Sequence, residues 1–136
     1  MRLAVALIIG SIGSVGMWSV VVVMPTVQAA FGATRGAASL AFTCAMLGFG
    51  SGGVVMGKLT DRSGIVTAIA VGIVLMLIGY LGAGYSAALW QFNLMHLLIG
   101  LGAAATFGPL MTEASHWFDA HRGLAVTIGA SGNYIA

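Results

Sequence analysis

His96 stands inside a long uncharged run, Leu89–Thr112, that holds no other ionisable side chain. A histidine titrates near neutral pH and can donate or accept a hydrogen bond, and it is costly to place in hydrocarbon. Asn93 and Gly100 lie on the same face at helical spacing. Other polar groups recur at similar intervals within apolar sequence: Ser11, Ser14 and Trp18; Thr43 beside Met46; and Thr127, Ser131 and Tyr134 with Asn133 next to them. Such groups offer hydrogen bonds to a polar solute in otherwise apolar surroundings. The competing reading is that they bond to neighbouring helices and only hold them together.

A second set of reactive types, Glu113, His116, Asp119 and His121, suggests a metal site at first. The Glu-x-x-His spacing occurs in di-iron helix bundles, but those need a matching motif on other helices, and no second one is present. The set falls between hydrophobic runs beside Arg122 and reads as a solvated loop. No Gly-rich phosphate loop, Cys–His set or nucleophile elbow occurs, so no metal, cofactor or enzymatic activity is expected. The single Cys44 reads as a small buried hydrophobe.

The elements that carry these residues follow from composition. Of 136 residues, 60% are hydrophobic and 6% charged, and the mean hydropathy is +1.06. A soluble domain carries about 25% charged residues. Five basic and three acidic side chains cannot coat a water-facing surface of this size or form a nucleic-acid surface. The chain is therefore read as solvated by lipid. Its charges leave four long gaps, 3–24, 38–57, 65–85 and 89–112, each long enough to cross roughly 30 Å of hydrocarbon as a helix. A further apolar segment, 123–136, is too short to cross and reads as a truncated fifth helix. Val71–Leu81 is solid aliphatic, without the alternation of a membrane strand. The first gap is longer than the roughly 7–15 apolar residues of a signal peptide.

Lys and Arg orient the bundle. With the N-terminus cytoplasmic, Arg2, Lys58, Arg62 and Arg122 lie inside and only Arg35 outside. Trp90 and Trp117 then fall at interfacial depth on opposite sides. His96 and Trp18 lie roughly 10 Å and roughly 9 Å from the outer ends of their helices, at one level of the outer half. Small residues at intervals of four, Gly48/Gly52 and Gly53/Gly57, allow close helix packing. Between Ile65 and Tyr80 the third gap has only Thr67 as a polar residue and reads as lipid-facing.

Between the second and third gaps the sequence reads Gly57-Lys58-Leu59-Thr60-Asp61-Arg62-Ser63-Gly64. This resembles the G-x-L-x-D-R-x-G signature of the major facilitator superfamily (MFS), in the same cytoplasmic position between the second and third spans. The basic pair that often follows is replaced by Ile65-Val66. Val22–Gly32 resembles the helix-one exit of such transporters. His96-Leu97-Leu98-Ile99-Gly100-Leu101-Gly102-Ala103-Ala104 is similar to the family's R-x-x-x-G-x-G-A-A pattern, with His96 where an Arg is common. Trp117-Phe118-Asp119-Ala120-His121-Arg122-Gly123-Leu124-Ala125 is similar to the start of helix five in monocarboxylate-transporter-like and oxalate/formate-antiporter-like members.

The resemblance implies an all-α membrane protein: the N-terminal part of a twelve-helix fold, spanning 1–136, with four complete helices and part of a fifth. It implies a secondary transporter of a small organic solute, such as a monocarboxylate or other organic anion, working by alternating access in the plasma (cell inner) membrane. Helices one, two, four and five would line the cavity, and helix three would lie outside. The cavity candidates are Ser14, Trp18, Thr43, His96, Gly100, Ser131, Asn133 and Tyr134. Gly57, Leu59, Asp61, Arg62 and Gly64 would act in the conformational change, with Arg122 in the next cytoplasmic loop. The implied partners are the lipid bilayer, the solute, a proton that His96 could help couple, and the C-terminal half of the same transporter. Two other readings are a small four-helix multidrug exporter, which would need a carboxylate that Leu3–Met24 lacks, and a membrane subunit that does not transport.

Overall fold

Backbone N–H and C=O groups in hydrocarbon must find partners within the chain, and a helix pairs them locally. The computed structural model describes residues 2–117 together with Gly123, Thr127, Ile128 and Ser131. It contains α1 (Arg2–Phe31), α2 (Arg35–Ser63), α3 (Ile65–Gly84) and α4 (Leu89–Trp117), and among the described residues no strand. Each helix has a membrane-length apolar segment: Ile8–Phe31, Arg35–Ser63, Ile65–Gly84 and Leu89–Pro109. This is the all-α, multi-span architecture expected from the charge gaps.

Three helices run past the ends set by charge. Pro25 does not stop α1, which continues to Phe31. A membrane helix tolerates proline where neighbouring groups satisfy the freed carbonyl. Gly32, at φ +57°, then turns the chain, and the Thr34 hydroxyl caps α2 by accepting from the Ala37 N–H at 3.3 Å. α2 does not end at Gly57. It extends through Lys58, Asp61 and Arg62 to Ser63, so most of the motif expected in a loop is helical. Nothing in Lys58–Ser63 breaks a helix, and Arg62 in the last turn suits the negative end of the helix dipole. Likewise, α4 carries its backbone helix through Glu113 and His116 to Trp117. Asp119 and His121 lie outside the described residues. Thr127 continues the helical pattern, its hydroxyl donating to the Gly123 carbonyl at 2.8 Å. The remainder of the expected fifth helix lies outside the described residues.

α4 is the hub, packing on α1, α2 and α3. Its contact with α2 is backbone on backbone: a side chain at Gly100 would meet the Ala45 carbonyl and the Phe49 N–H. Gly48 is pressed in the same way against Leu97 and Leu101 of α4. Alanines line the rest of the interior, with Ala41, Ala45, Ala68 and Ala103–Ala105 all buried. Small residues let helices approach where lipid offers no hydrophobic gain for association. α3 buries only Ala68, Gly72 and Gly79, and leaves Ile73, Val74, Leu77 and Ile78 outward. α3 packs on α4 through this row of small residues.

Candidate functional site

α4 presents different faces to different neighbours. Gly100 and Leu101 meet α2, and Met95 and Ile99 meet α3. His96 falls between these two rows, one turn after Phe92, which packs in a cluster with Val20 and Val27 of α1 and Ala41 of α2. The imidazole is 3% exposed and lies over the Phe92 ring, with centroids 4.3 Å apart. Its Nδ1 is 2.9 Å from the Phe92 carbonyl. A carbonyl only accepts, so Nδ1 carries the proton, and in the neutral ring Nε2 presents a lone pair. No hydrogen bond to Nε2 comes from the described residues, and the ring lines a groove. Protonation would turn this acceptor into a donor.

The groove has a volume of about 470 Å³ and lies between α1, α3 and α4. Besides His96, its polar lining comes from Ser19, Thr26, Tyr80 and Ser86, and Val23, Val27 and Phe92 supply apolar wall. Ser19 and Tyr80 share a hydrogen bond of 3.2 Å, which ties α1 to α3. Both residues also line a second, almost wholly apolar groove with Ile12, Val15, Ile73, Met76 and Leu77. The pair is thus the polar bridge between two chambers of one cleft. Ser19, Thr26 and Tyr80 are not among the cavity residues expected from the sequence. The helix expected to lie outside the cavity, α3, supplies one wall of this groove through Tyr80, Ala83 and Gly84. Losing the bridge, as in Tyr80→Phe, should cost about 1 kcal/mol, and thermal unfolding in detergent would show it.

The other expected cavity residues do not gather around His96. Trp18 packs on Phe42 of α2, with centroids 6.3 Å apart, and lines a separate shallow groove with Val15, Ser19, Val22 and Val23. Ser14 is buried, and its hydroxyl donates to the Ser11 carbonyl at 2.9 Å, in a small cleft toward Phe49 and Thr106. Thr43 is exposed on α2. Gly100 has α2 backbone where a ligand would need space, so its place in the structure is a packing contact. Asn93 is half-buried, and its Oδ1 is sealed from solvent without a hydrogen-bond partner. Ser131 is exposed and donates to the Ile128 carbonyl at 2.7 Å. Asn133, Tyr134 and Arg122 lie outside the described residues.

The motif residues Gly57, Leu59, Asp61 and Arg62 occupy the last turns of α2. Gly64 is the single residue between α2 and α3. Its φ of 84° and ψ of 162° belong to a backbone region open essentially to glycine alone. Gly64→Ala should therefore cost about 1–3 kcal/mol of stability, read as a lower melting temperature in detergent. Gly50, Gly53 and Gly57 behave differently, because a side chain there would meet nothing within 4 Å. Asp61 stands one turn beyond Gly57 on this open side of α2.

Comparison with known proteins agrees with this architecture. A "Phosphoglycerate transporter protein" of Salmonella typhimurium is 30% identical over 76 residues, covering 56% of this chain and 16% of that protein. A riboflavin transporter of Saccharomyces cerevisiae is 32% identical over 82 residues, covering 57% of this chain and 16% of that protein. An MFS-type transporter of Aspergillus terreus is 31% identical over 83 residues, covering 60% of this chain and 28% of that protein. The chain thus matches less than a third of the length of each of these relatives. The monocarboxylate-like subtype finds no support among these relatives. The family profile itself matches residues 6–136. Four membrane-length helices, the Gly57–Gly64 motif and that profile make the chain a multi-pass membrane protein of the Major Facilitator Superfamily.

Proposed function

We propose that the protein carries a small organic solute across the plasma (cell inner) membrane by alternating access, with the groove at His96 as part of the solute path. The observation that carries this reading is a buried histidine on a membrane-spanning helix that lines one groove with the hydroxyls of Ser19, Thr26, Tyr80 and Ser86. An ionisable group at that depth is costly unless it is used. The relatives support transport as such. One is named for phosphoglycerate, an organic anion, and another for riboflavin, so cargo differs within this range of similarity. An organic anion such as a monocarboxylate fits His96 best. The protonated ring donates Nε2–H to a carboxylate, and the neutral ring accepts from a carboxylic acid. Either way one proton travels with the anion, so His96 serves as the coupling group. Uptake by the full-length transporter in proteoliposomes, with and without an inward proton gradient, tests this. Uptake that ignores the gradient would leave His96 as packing only.

The motif on α2 has a separate role in this reading. The open face of Gly50, Gly53 and Gly57 receives a helix of the transporter's other half, and Asp61 binds that helix on the cytoplasmic side. Asp61→Asn should leave insertion and solute affinity near wild type while slowing turnover at least about tenfold, a barrier change of about 1.4 kcal/mol. Wild-type turnover in Asp61→Asn would count against the role.

A further inference from the structure

Aromatic rings from all three helices line the groove at His96: Phe31 of α1, Tyr80 of α3, and Phe92 and His96 of α4. Three of them stand in series. The Phe31 and Phe92 centroids are 6.0 Å apart with the rings at 50°, and Phe92 and His96 follow at 4.3 Å and 44°. Tilted pairs of this kind set the positive edge of one ring toward the negative face of the next. Position along the helices orders the groove. Its mouth is where α1 and α3 stop and α4 starts, with Phe31 the last residue of α1 and Phe92 in the first turn of α4. His96 lies one turn further in, and Ser19, bonded to Tyr80, stands roughly 18 Å along α1 from Phe31. Phe92 is buried, whereas Phe31 is half-buried and lines the mouth. At the same end α3 contributes Ala83 and Gly84, and a side chain at Gly84 would meet nothing within 4 Å. A ring on one helix and two small residues on another leave a slot.

From this arrangement we infer that the solute is an aryl carboxylate, with its ring held at Phe31 and its carboxylate directed inward to His96. The inference rests on the proposed solute path through this groove and narrows the organic anion carried there. An aliphatic anion of the same size fills the slot equally well and buries as much apolar surface. Only an aromatic one gains the edge-to-face or offset contact with Phe31 that comes on top of burial. Phe31 is thus a specificity-determining residue, and it takes no part in the proton step at His96.

The test is saturable uptake of benzoate and of cyclohexanecarboxylate by the full-length transporter in proteoliposomes with an inward proton gradient. The two anions share a carboxylate and a carbon ring of like size and differ in aromaticity. Wild type should transport benzoate with a kcat/KM about fivefold higher. F31L keeps apolar bulk and should bring the ratio close to unity by lowering benzoate uptake, while F31Y should keep the preference. F49L makes the same change at a ring that stacks on Phe107 at 5.9 Å, away from this groove, and should keep it too. A role for Phe31 in packing alone would lower both anions together and leave the ratio intact. If F31L does not purify folded, F31M, also apolar and without a ring, takes its place. Equal uptake of the two anions by wild type, a preference that survives F31L, or an equal loss in F49L would overturn the aryl specificity. Gradient-driven uptake of both anions in those cases would leave the reading of His96 standing. Gradient-driven uptake of neither would overturn both.

Discussion

Gly100→Leu should prevent α2 and α4 from assembling, and Gly100→Ala should already destabilise the bundle by about 2 kcal/mol. The α-carbon of Gly100 faces the Ala45 carbonyl and the Phe49 N–H of α2. These are backbone atoms of a helix and cannot swing aside as a side-chain tip would. A methyl group forces the two axes apart. That also opens the reciprocal contact at Gly48 and strips dispersion contacts from Ala41, Ala45 and Ala104, all buried nearby. In lipid no hydrophobic gain pulls separated helices back together. Gly50→Ala and Gly53→Ala are the matched controls. In residues 1–136 expressed without the other half, a side chain at either meets open space, so helix propensity alone acts and stability should hold or rise by up to about 1 kcal/mol. Thermal unfolding followed by circular dichroism in detergent compares the four variants. Gly100→Ala melting with wild type would mean that α2 and α4 do not pack as described.

Removing the imidazole should be the most costly single change for transport. We expect His96→Ala to lower the transport kcat/KM about ten- to hundredfold, as loss of one to two kcal/mol-scale hydrogen bonds to solute would do. His96→Ala also removes a buried ring from the Phe92 stack, so a drop in transport alone would be ambiguous. Two further variants separate the causes. His96→Phe keeps a ring against Phe92 and removes both nitrogens, and should stay folded while transporting poorly. His96→Gln keeps a hydrogen-bonding group and cannot titrate, so it should bind solute but lose the dependence on a proton gradient. If His96→Phe transported as wild type at all pH values, His96 would be a packing residue and the groove would lie off the solute path.

Much of the fold was legible because hydrocarbon imposes a simple length rule. A charge inside a span is expensive, so the uncharged gaps had to approximate the helices, and α3 matches its gap to within a residue or two. The ends were less legible. Polar residues at headgroup depth cost a helix little, so α2 runs on through Lys58, Asp61 and Arg62 until Gly64 supplies a backbone geometry that other residues resist. α1 runs through Pro25 for a different reason, that neighbouring groups can satisfy the carbonyl a proline frees.

The site divides along a different line. Depth was readable along the chain: a fixed rise per residue put His96 within its helix, and the apolar run around it marked it as unusual. The same rule put Trp18 at a comparable level, yet the two residues line different grooves. Rotation about each helix axis emerged only from the packing of the helices on one another. Close contact of Gly100 with α2 and of Gly79 with α4 leaves His96 on the side of α1, and the packed helices put Ser19 of α1 and Tyr80 of α3, sixty-one residues apart, within one hydrogen bond. Side-chain periodicity shows which residues share a face. Which neighbour that face meets depends on where backbones can touch, and that is set by pairs of small residues on different helices acting together.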